Sequence, residues 1–115
     1  MTIPDLLEQK CTPNTLALSA AEIQQQIAVL DGWALENGKI VREFKFGDYY
    51  ETLAFINAIA YVIHAEDHHP ELAVTFNRCT VRFNTHSVNN GKGGLSINDF
   101  ICATKVNAIY QQSFS

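Results

Sequence analysis

The stretch DYYETLAFINAIAYVIHAEDHHPELAVTF, Asp48–Phe76, contains the longest run of apolar residues at helical spacing and then an abrupt change of period. Asp48 and Glu51, three residues apart at its beginning, are typical of a helix start. We therefore predict a helix over residues 48–66. The residue before a proline disfavours helical backbone, so Pro70 should stop this helix. After Pro70 the apolar residues alternate, which is the period of a strand.

The predicted helix 48–66 has two apolar stripes rather than one. The first stripe is Leu53, Ile56, Ala60 and Ile63, and the second is Phe55, Ile59 and Val62. A helix that is apolar on two sides must be covered on two sides. We expect one side to lie on a sheet. We expect the other side to meet another subunit, which predicts a homodimer or homotetramer formed through the 48–66 helix.

The segments on either side of this stretch complete an α+β pattern. Ser19 and Glu22 form a capping-box signature that predicts a helix over residues 20–29. Asn37-Gly38 is a two-residue hairpin signal. Two further strands are predicted at residues 72–76 and 79–87, and a last helix begins near Ser96. The predicted fold is a four-stranded antiparallel sheet with three helices on one face, in the order α-β-β-α-β-β-α.

The N-terminal residues lack such a pattern. Residues 1–17 contain Pro4 and Pro13 and show no sustained apolar period. We predict a flexible N-terminal arm over residues 1–17 and a single domain over residues 18–115.

The composition excludes several classes of protein. The chain has 115 residues, 47% of them hydrophobic, and a net charge of −4 with no run of basic residues, which argues against a nucleic-acid partner. We find no signal peptide and no apolar stretch long enough to cross a membrane. Three cysteines without a CxxC pair suit a reducing compartment. We expect a cytoplasmic protein that contacts neither nucleic acid nor membrane.

The histidines are unusually concentrated. His64, His68 and His69 fall within six residues, and His86 lies on the last predicted strand. Three interpretations remain open at this point: surface residues at a helix end, a metal site, or a site that transfers protons with imidazoles alone. The HxxxH spacing here has Ala65, Glu66 and Asp67 between the histidines, whereas a zinc protease has glutamate directly after the first histidine. A helix end and a neighbouring strand can converge, so His68, His69 and His86 could line one cleft.

Several of these residues together resemble the signature of the pterin-4a-carbinolamine dehydratases. The matching residues are Asp67-His68-His69-Pro70-Glu71, Phe76, Thr85-His86, Gly93-Gly94-Leu95-Ser96 and Asp99. The resemblance extends over most of the chain and leaves out only the N-terminal arm. It implies an enzyme that dehydrates a 4a-hydroxytetrahydropterin to the quinonoid dihydropterin, in tetrahydropterin recycling, with neither metal nor cofactor.

The resemblance also implies a set of site residues. The implied catalytic residues are His68, His69, His86 and Asp99. The implied pterin-binding residues are Asp67, His68, His69, Asn84, Thr85, His86 and Ser87. As a hypothesis, His86 is the acid at the departing hydroxyl, His68 is the base, and His69 positions the pterin. Asp99 is expected to support an imidazole or the helix start.

The resemblance leaves one alternative of another class. Animal members of the family also bind a transcription factor and stabilise its dimer. The alternative function is therefore an oligomerising binding module or coactivator that stabilises a partner protein's dimer, with the apolar side of the 48–66 helix that does not lie on the sheet as its surface.

Overall fold

Residues 1–114 are described in the computed structural model of the protein, and they form four helices and one four-stranded antiparallel sheet. The helices are α1 Ile3–Glu8, α2 Ala20–Val29, α3 Tyr49–Glu66 and α4 Ile97–Ser113. The strands are β1 Ala34–Glu36, β2 Lys39–Lys45, β3 Glu71–Val74 and β4 Arg78–Phe83. The predicted fold class and element order are confirmed, with one helix added at the N-terminus.

The sheet is built from two hairpins that meet in its centre. Its strand order is β1-β2-β4-β3, and the β2–β4 pairing sets Ile40 opposite Phe83 and Phe44 opposite Cys79. These four side chains are at most 1% exposed and share one core with side chains of α3 and α4. The opposite face carries charged residues, as strand alternation requires. The helices therefore cover one face of the sheet.

Arg42 is the charged residue on the apolar face of β2, and its surroundings explain why it is tolerated there. Its guanidinium lies 4.5 Å from the ring centroid of Phe44 and 5.3 Å from that of Tyr110. It also donates hydrogen bonds to the Asp31 carbonyl and to Asn107 Oδ1. The cation thus keeps polar partners while its planar group packs on aromatic rings.

The ends of α3 follow from local chemistry. At its start, the Asp48 carboxylate accepts a hydrogen bond from the Glu51 N–H at 2.8 Å, and Glu51 accepts one from the Gly47 N–H at 3.0 Å. At its end, Asp67 adopts a left-handed conformation with φ of 50°. Asp tolerates this conformation better than most residues. The chain therefore leaves the helix with His68 and His69 in the turn before β3.

Two details of the prediction are corrected by the structure. The count of three helices is wrong because α1, at Ile3–Glu8, lies within the segment predicted as an arm. The fourth strand ends at Phe83 rather than reaching residue 87, since Thr85 pairs only with Gly94 in an isolated bridge. His86 therefore lies in a turn beyond the strand. The mobility of residues 1–17 and the domain boundary at residue 18 stay predictions.

We expect Leu6 to fix α1 against α4. Leu6 is 0% exposed in the common core, whereas the neighbouring Leu7 is 41% exposed. Leu6→Ala should lower the free energy of unfolding by about 2–4 kcal/mol because it leaves a cavity, and the control Leu7→Ala by less than about 1 kcal/mol. Urea denaturation measures both. Equal effects of the two substitutions would mean that α1 is not docked.

Candidate active site

A cleft of ≈ 440 Å³ lies where the end of α3 meets the turn after β4. The end of α3 and the turn that follows it supply one wall, and the chain after β4 supplies another. The N-terminal segment and α4 complete the lining. The lining residues are Cys11, Thr12, Pro13, Thr15, Ala65, Glu66, Asp67, His68, His69, Asn84, Thr85, His86, Ser87 and Asn98.

His68 is the imidazole that the protein holds most firmly. Its side chain is 12% exposed, and its Nε2 lies 2.6 Å from Oδ1 of Asp99, which is 0% exposed. The ring also stacks on Phe83, with centroids 5.8 Å apart and an interplanar angle of 5°. A ring held by a hydrogen bond at one end and by stacking on one face has little rotational freedom. His68 is therefore fixed in orientation within the cleft wall.

Asp99 sits beneath the cleft and accepts hydrogen bonds from three directions. Its Oδ2 accepts from the Thr85 hydroxyl at 2.8 Å and from the Ser96 N–H at 2.9 Å. Its Oδ1 faces His68. Two donors occupy Oδ2, so Oδ1 is the oxygen that faces His68, and we assign the shared proton to His68 Nε2, which then donates to Oδ1. Nδ1 of His68 is then the ring nitrogen with a free lone pair.

Thr85 lines the cleft, and its hydroxyl also supports this carboxylate. Its hydroxyl contacts both Asp99 and the Ser96 hydroxyl, the latter at 2.7 Å. Its N–H and carbonyl pair with Gly94. Each of its polar groups therefore already has a protein partner, and the predicted contact of Thr85 with a ligand stays a prediction. Its side chain is 5% exposed.

The other two histidines of the cleft are open to solvent. His69 is 72% exposed and lies 3.7 Å from the carboxylate of Asp67, which is 91% exposed. His86 and Ser87 lie in the exposed turn that follows Thr85. The contact between His69 and Asp67 is open to solvent, and His86 is exposed as well, so neither imidazole is held as His68 is. The fourth histidine, His64, is exposed on α3 and is not among the lining residues.

All the predicted site residues except Asp99 line this one cleft, and Asp99 touches His68 from below. The prediction missed the N-terminal wall, formed by Cys11, Thr12, Pro13 and Thr15. The sequence contains a signal for the helix that precedes this wall, because Thr2 and Asp5 form a capping box that starts α1. The path of the chain after α1 has no comparable signal, because it depends on side chains far away in sequence.

The N-terminal wall is fastened by two buried polar residues. The Asn98 side chain accepts from the Thr12 N–H at 3.1 Å and donates to the Thr12 carbonyl at 2.8 Å. Glu66 accepts from the Cys11 N–H at 2.8 Å and pairs with Lys105 at 2.7 Å. Burial alone would raise the pKa of Glu66, but the hydrogen bonds from Lys105 and Cys11 outweigh it and hold that pKa below its usual value. Glu66 thus ties the segment to α4 as a carboxylate.

Two structural features are absent from the described part of the chain. Within residues 1–114, no three His, Cys, Asp or Glu side chains are grouped so as to hold a metal ion. None of the helices in this range combines the length and the hydropathy that crossing a bilayer requires.

The fold and the cleft define a class: a small α+β protein that places three imidazoles around a pocket and a buried carboxylate beneath one of them. The family described as "Pterin 4 alpha carbinolamine dehydratase" matches residues 16–109. The chain belongs to this pterin-4-alpha-carbinolamine dehydratase family. The match begins just after the wall residues Cys11–Thr15.

Individual relatives agree with the family assignment. A protein of Bdellovibrio bacteriovorus named "Putative pterin-4-alpha-carbinolamine dehydratase" is 53% identical over 115 residues, which covers 100% of this chain and 96% of the relative. A protein of the same name from Nitrosospira multiformis is 46% identical over 113 residues, 96% of each chain. A solved structure, described as a transcriptional coactivator/pterin dehydratase from Brucella melitensis, is 34% identical with a TM-score of 0.74. The match covers 81% of this chain and 97% of the Brucella chain.

Proposed function

We propose that this protein dehydrates a 4a-hydroxytetrahydropterin to the quinonoid dihydropterin and water, as a step in tetrahydropterin recycling in the cytoplasm. The family assignment supports the substrate class. The observation that carries the proposal is the pairing of His68 with the buried Asp99 at the wall of a cleft that also contains His69 and His86. This arrangement provides both a proton acceptor and proton donors next to one bound ring.

The reaction needs one proton added and one removed. The hydroxyl leaves with its bonding electrons and must gain a proton to depart as water. The ring nitrogen beside that carbon loses a proton as its electrons form the new double bond. Each well-placed proton transfer contributes about 10²–10⁴-fold to the rate. The balance of atoms and charge requires only an acid and a base.

His68 is the base in this proposal. The Asp99 carboxylate orders its tautomer, since Nε2 carries the proton and Nδ1 keeps the lone pair that accepts the proton of the ring nitrogen. Asp99 also stabilises the imidazolium that forms. We regard Asp99 as a positioning residue, since it is buried beneath the cleft and touches His68 rather than the ligand.

His86 is the acid in this proposal. It lies across the cleft in an exposed turn, where solvent can return a proton after each turnover. An imidazole in contact with solvent is suited to give and regain a proton repeatedly. His69 and Asp67, at the rim, position the pterin together with Asn84 and Ser87.

We expect His86→Ala to lower kcat by about 10²–10⁴-fold, because no other group then protonates the departing hydroxyl. The measurement is a coupled assay with a 4a-hydroxypterin, corrected for the uncatalysed rate. His64→Ala is the matched control, since that exposed histidine does not line the cleft. Circular dichroism should show an intact fold in both variants. Turnover by His86→Ala equal to that of His64→Ala would remove the proposed acid.

We expect Asp99→Asn to lower kcat by at least about 10²-fold with a smaller change in KM. The amide oxygen would go to the Ser96 N–H and the Thr85 hydroxyl, so the amide NH₂ would face His68 Nε2 and move the imidazole proton to Nδ1. Nitrogen-15 NMR of the imidazoles reads the tautomer directly.

Asp5→Asn is the control for this substitution, because Asp5 is also the third residue of its helix and caps it in the same way. It should leave both kcat and the His68 tautomer unchanged. A wild-type tautomer in Asp99→Asn would contradict the assignment even if the rate fell.

We further propose that the chain self-associates through the outer side of α3. Phe55, Ile59 and Val62 of α3 are buried in the core, whereas Tyr50, Leu53 and Tyr61 remain 80%, 37% and 74% exposed. The same surface would serve the alternative function of a binding module for another protein, which the description of the Brucella relative as a coactivator keeps open.

Sedimentation velocity tests the self-association. The wild type should sediment above the 12.8 kDa of one chain, and Tyr61→Lys should shift it toward the monomer because a charge then lies in the interface. Leu16→Lys, at a position 83% exposed outside α3, is the control and should not alter the assembly. A wild type that is monomeric at all concentrations would exclude this interface.

A further inference from the structure

Two cysteine thiols meet between the N-terminal wall of the cleft and α4. The Sγ atoms of Cys11 and Cys102 lie 3.5 Å apart, although the residues are 91 positions apart in sequence. The Cys11 thiol also approaches the Asn98 carbonyl at 3.6 Å. A disulfide bond is about 2.05 Å long, so the two sulfur atoms would have to approach by about 1.5 Å. Rotation of the Cys11 side chain, which is only half-buried, can supply part of this movement.

The two thiols differ in accessibility. Cys102 is 0% exposed on α4, whereas Cys11 lines the cleft and can be reached by a small solute. The hydrogen bond to Cys11, and then burial, raise the pKa of the Cys102 thiol far above its usual value. Because it is accessible, Cys11 is the thiol that an oxidant meets first. The raised pKa keeps Cys102 protonated until its neighbour is oxidised, and its contact with Cys11 Sγ then makes it the thiol that can attack, losing its proton to the departing hydroxide.

Cys79 provides an internal contrast. It is 0% exposed on β4, and burial raises its pKa to about 11. In residues 1–114 it has no thiol contact like that between Cys11 and Cys102. A protein with three free cysteines thus contains one close pair and one isolated thiol.

We propose that Cys11 and Cys102 are a reversible oxidation site at which a peroxide forms an intramolecular disulfide. In the first step the peroxide O–O bond breaks and Cys11 becomes a sulfenic acid, with release of one water. In the second step the Cys102 sulfur attacks the Cys11 sulfur, the S–O bond breaks, and a second water leaves. Two thiols and one hydrogen peroxide give one disulfide and two waters. A dithiol reductant reverses the change.

The disulfide would covalently fasten the N-terminal wall of the cleft. That wall is otherwise tied to α3 and α4 by hydrogen bonds through Glu66 and Asn98. The new bond would close a loop of 91 residues, and closure of a long loop restricts the unfolded chain strongly. The oxidised protein should therefore melt at a temperature higher by roughly 5 °C or more than the reduced protein.

Peptide mapping tests the proposal on the intact folded chain. Trypsin places the three cysteines in three separate peptides, residues 11–39, 79–82 and 93–105. After treatment with a small excess of hydrogen peroxide, we expect a mass loss of two hydrogens per chain and a cross-linked peptide joining 11–39 to 93–105. Dithiothreitol should abolish both the cross-link and the gain in melting temperature.

Three variants keep the test decisive. Cys79→Ala should form the same cross-link as the wild type, whereas Cys11→Ser and Cys102→Ala should form none. Oxidation in concentrated urea is the control for proximity, because pairs that include residue 79 should then appear as well. The proposal is overturned if the folded wild type keeps both thiols free for alkylation, or if Cys11 ends as a sulfinic acid or in a bond between two chains. Neither result would depend on the pterin reaction.

Discussion

The buried carboxylate of Asp99 is the constraint on which the cleft depends. A carboxylate that is 0% exposed costs several kcal/mol unless donors satisfy it, and here the donors come from three separate places in the chain. His68 lies just after α3, Thr85 just after β4, and Ser96 at the start of α4. The same charge therefore aligns the end of one helix, the end of a central strand and the beginning of the last helix. The position of His68 is a consequence of satisfying Asp99.

The sequence predicted well those features that have a local cause. The switch from helix to strand around Pro70, the turn at Asn37-Gly38 and the cap of α2 by Ser19 and Glu22 each follow from a few neighbouring residues. The end of β4 could not be predicted from neighbouring residues. The alternation of side chains continues through Asn84 to His86. The neighbouring strand does not continue alongside it, because β3 begins only at Glu71, which pairs with Arg82. Strand length depends on the partner as well as on the pattern.

The N-terminal segment shows a different limit of sequence reasoning. Its helix could have been predicted from Thr2 and Asp5, yet its place beside the cleft depends on Glu66 and Asn98, more than 50 residues away. The match to the family begins at residue 16, so the resemblance that identified the histidines carried no information about this wall. The roles of the site residues come from the family signature, whereas the boundary of the cleft comes only from the tertiary contacts.

The cleft contains one imidazole fixed by its neighbours and two that are exposed to solvent, and this asymmetry favours the division of acid and base proposed above. A base must keep its lone pair toward the substrate throughout the reaction, and His68 can do so because Asp99 and Phe83 hold its ring from two sides. An acid must be reprotonated between turnovers, which is simplest for a side chain in contact with water, such as His86. If the roles were exchanged, the base would be the exposed His86, without the buried carboxylate that fixes the tautomer of His68. In the proposed reaction the proton of the pterin nitrogen therefore passes to His68, and the proton for the departing oxygen comes from His86.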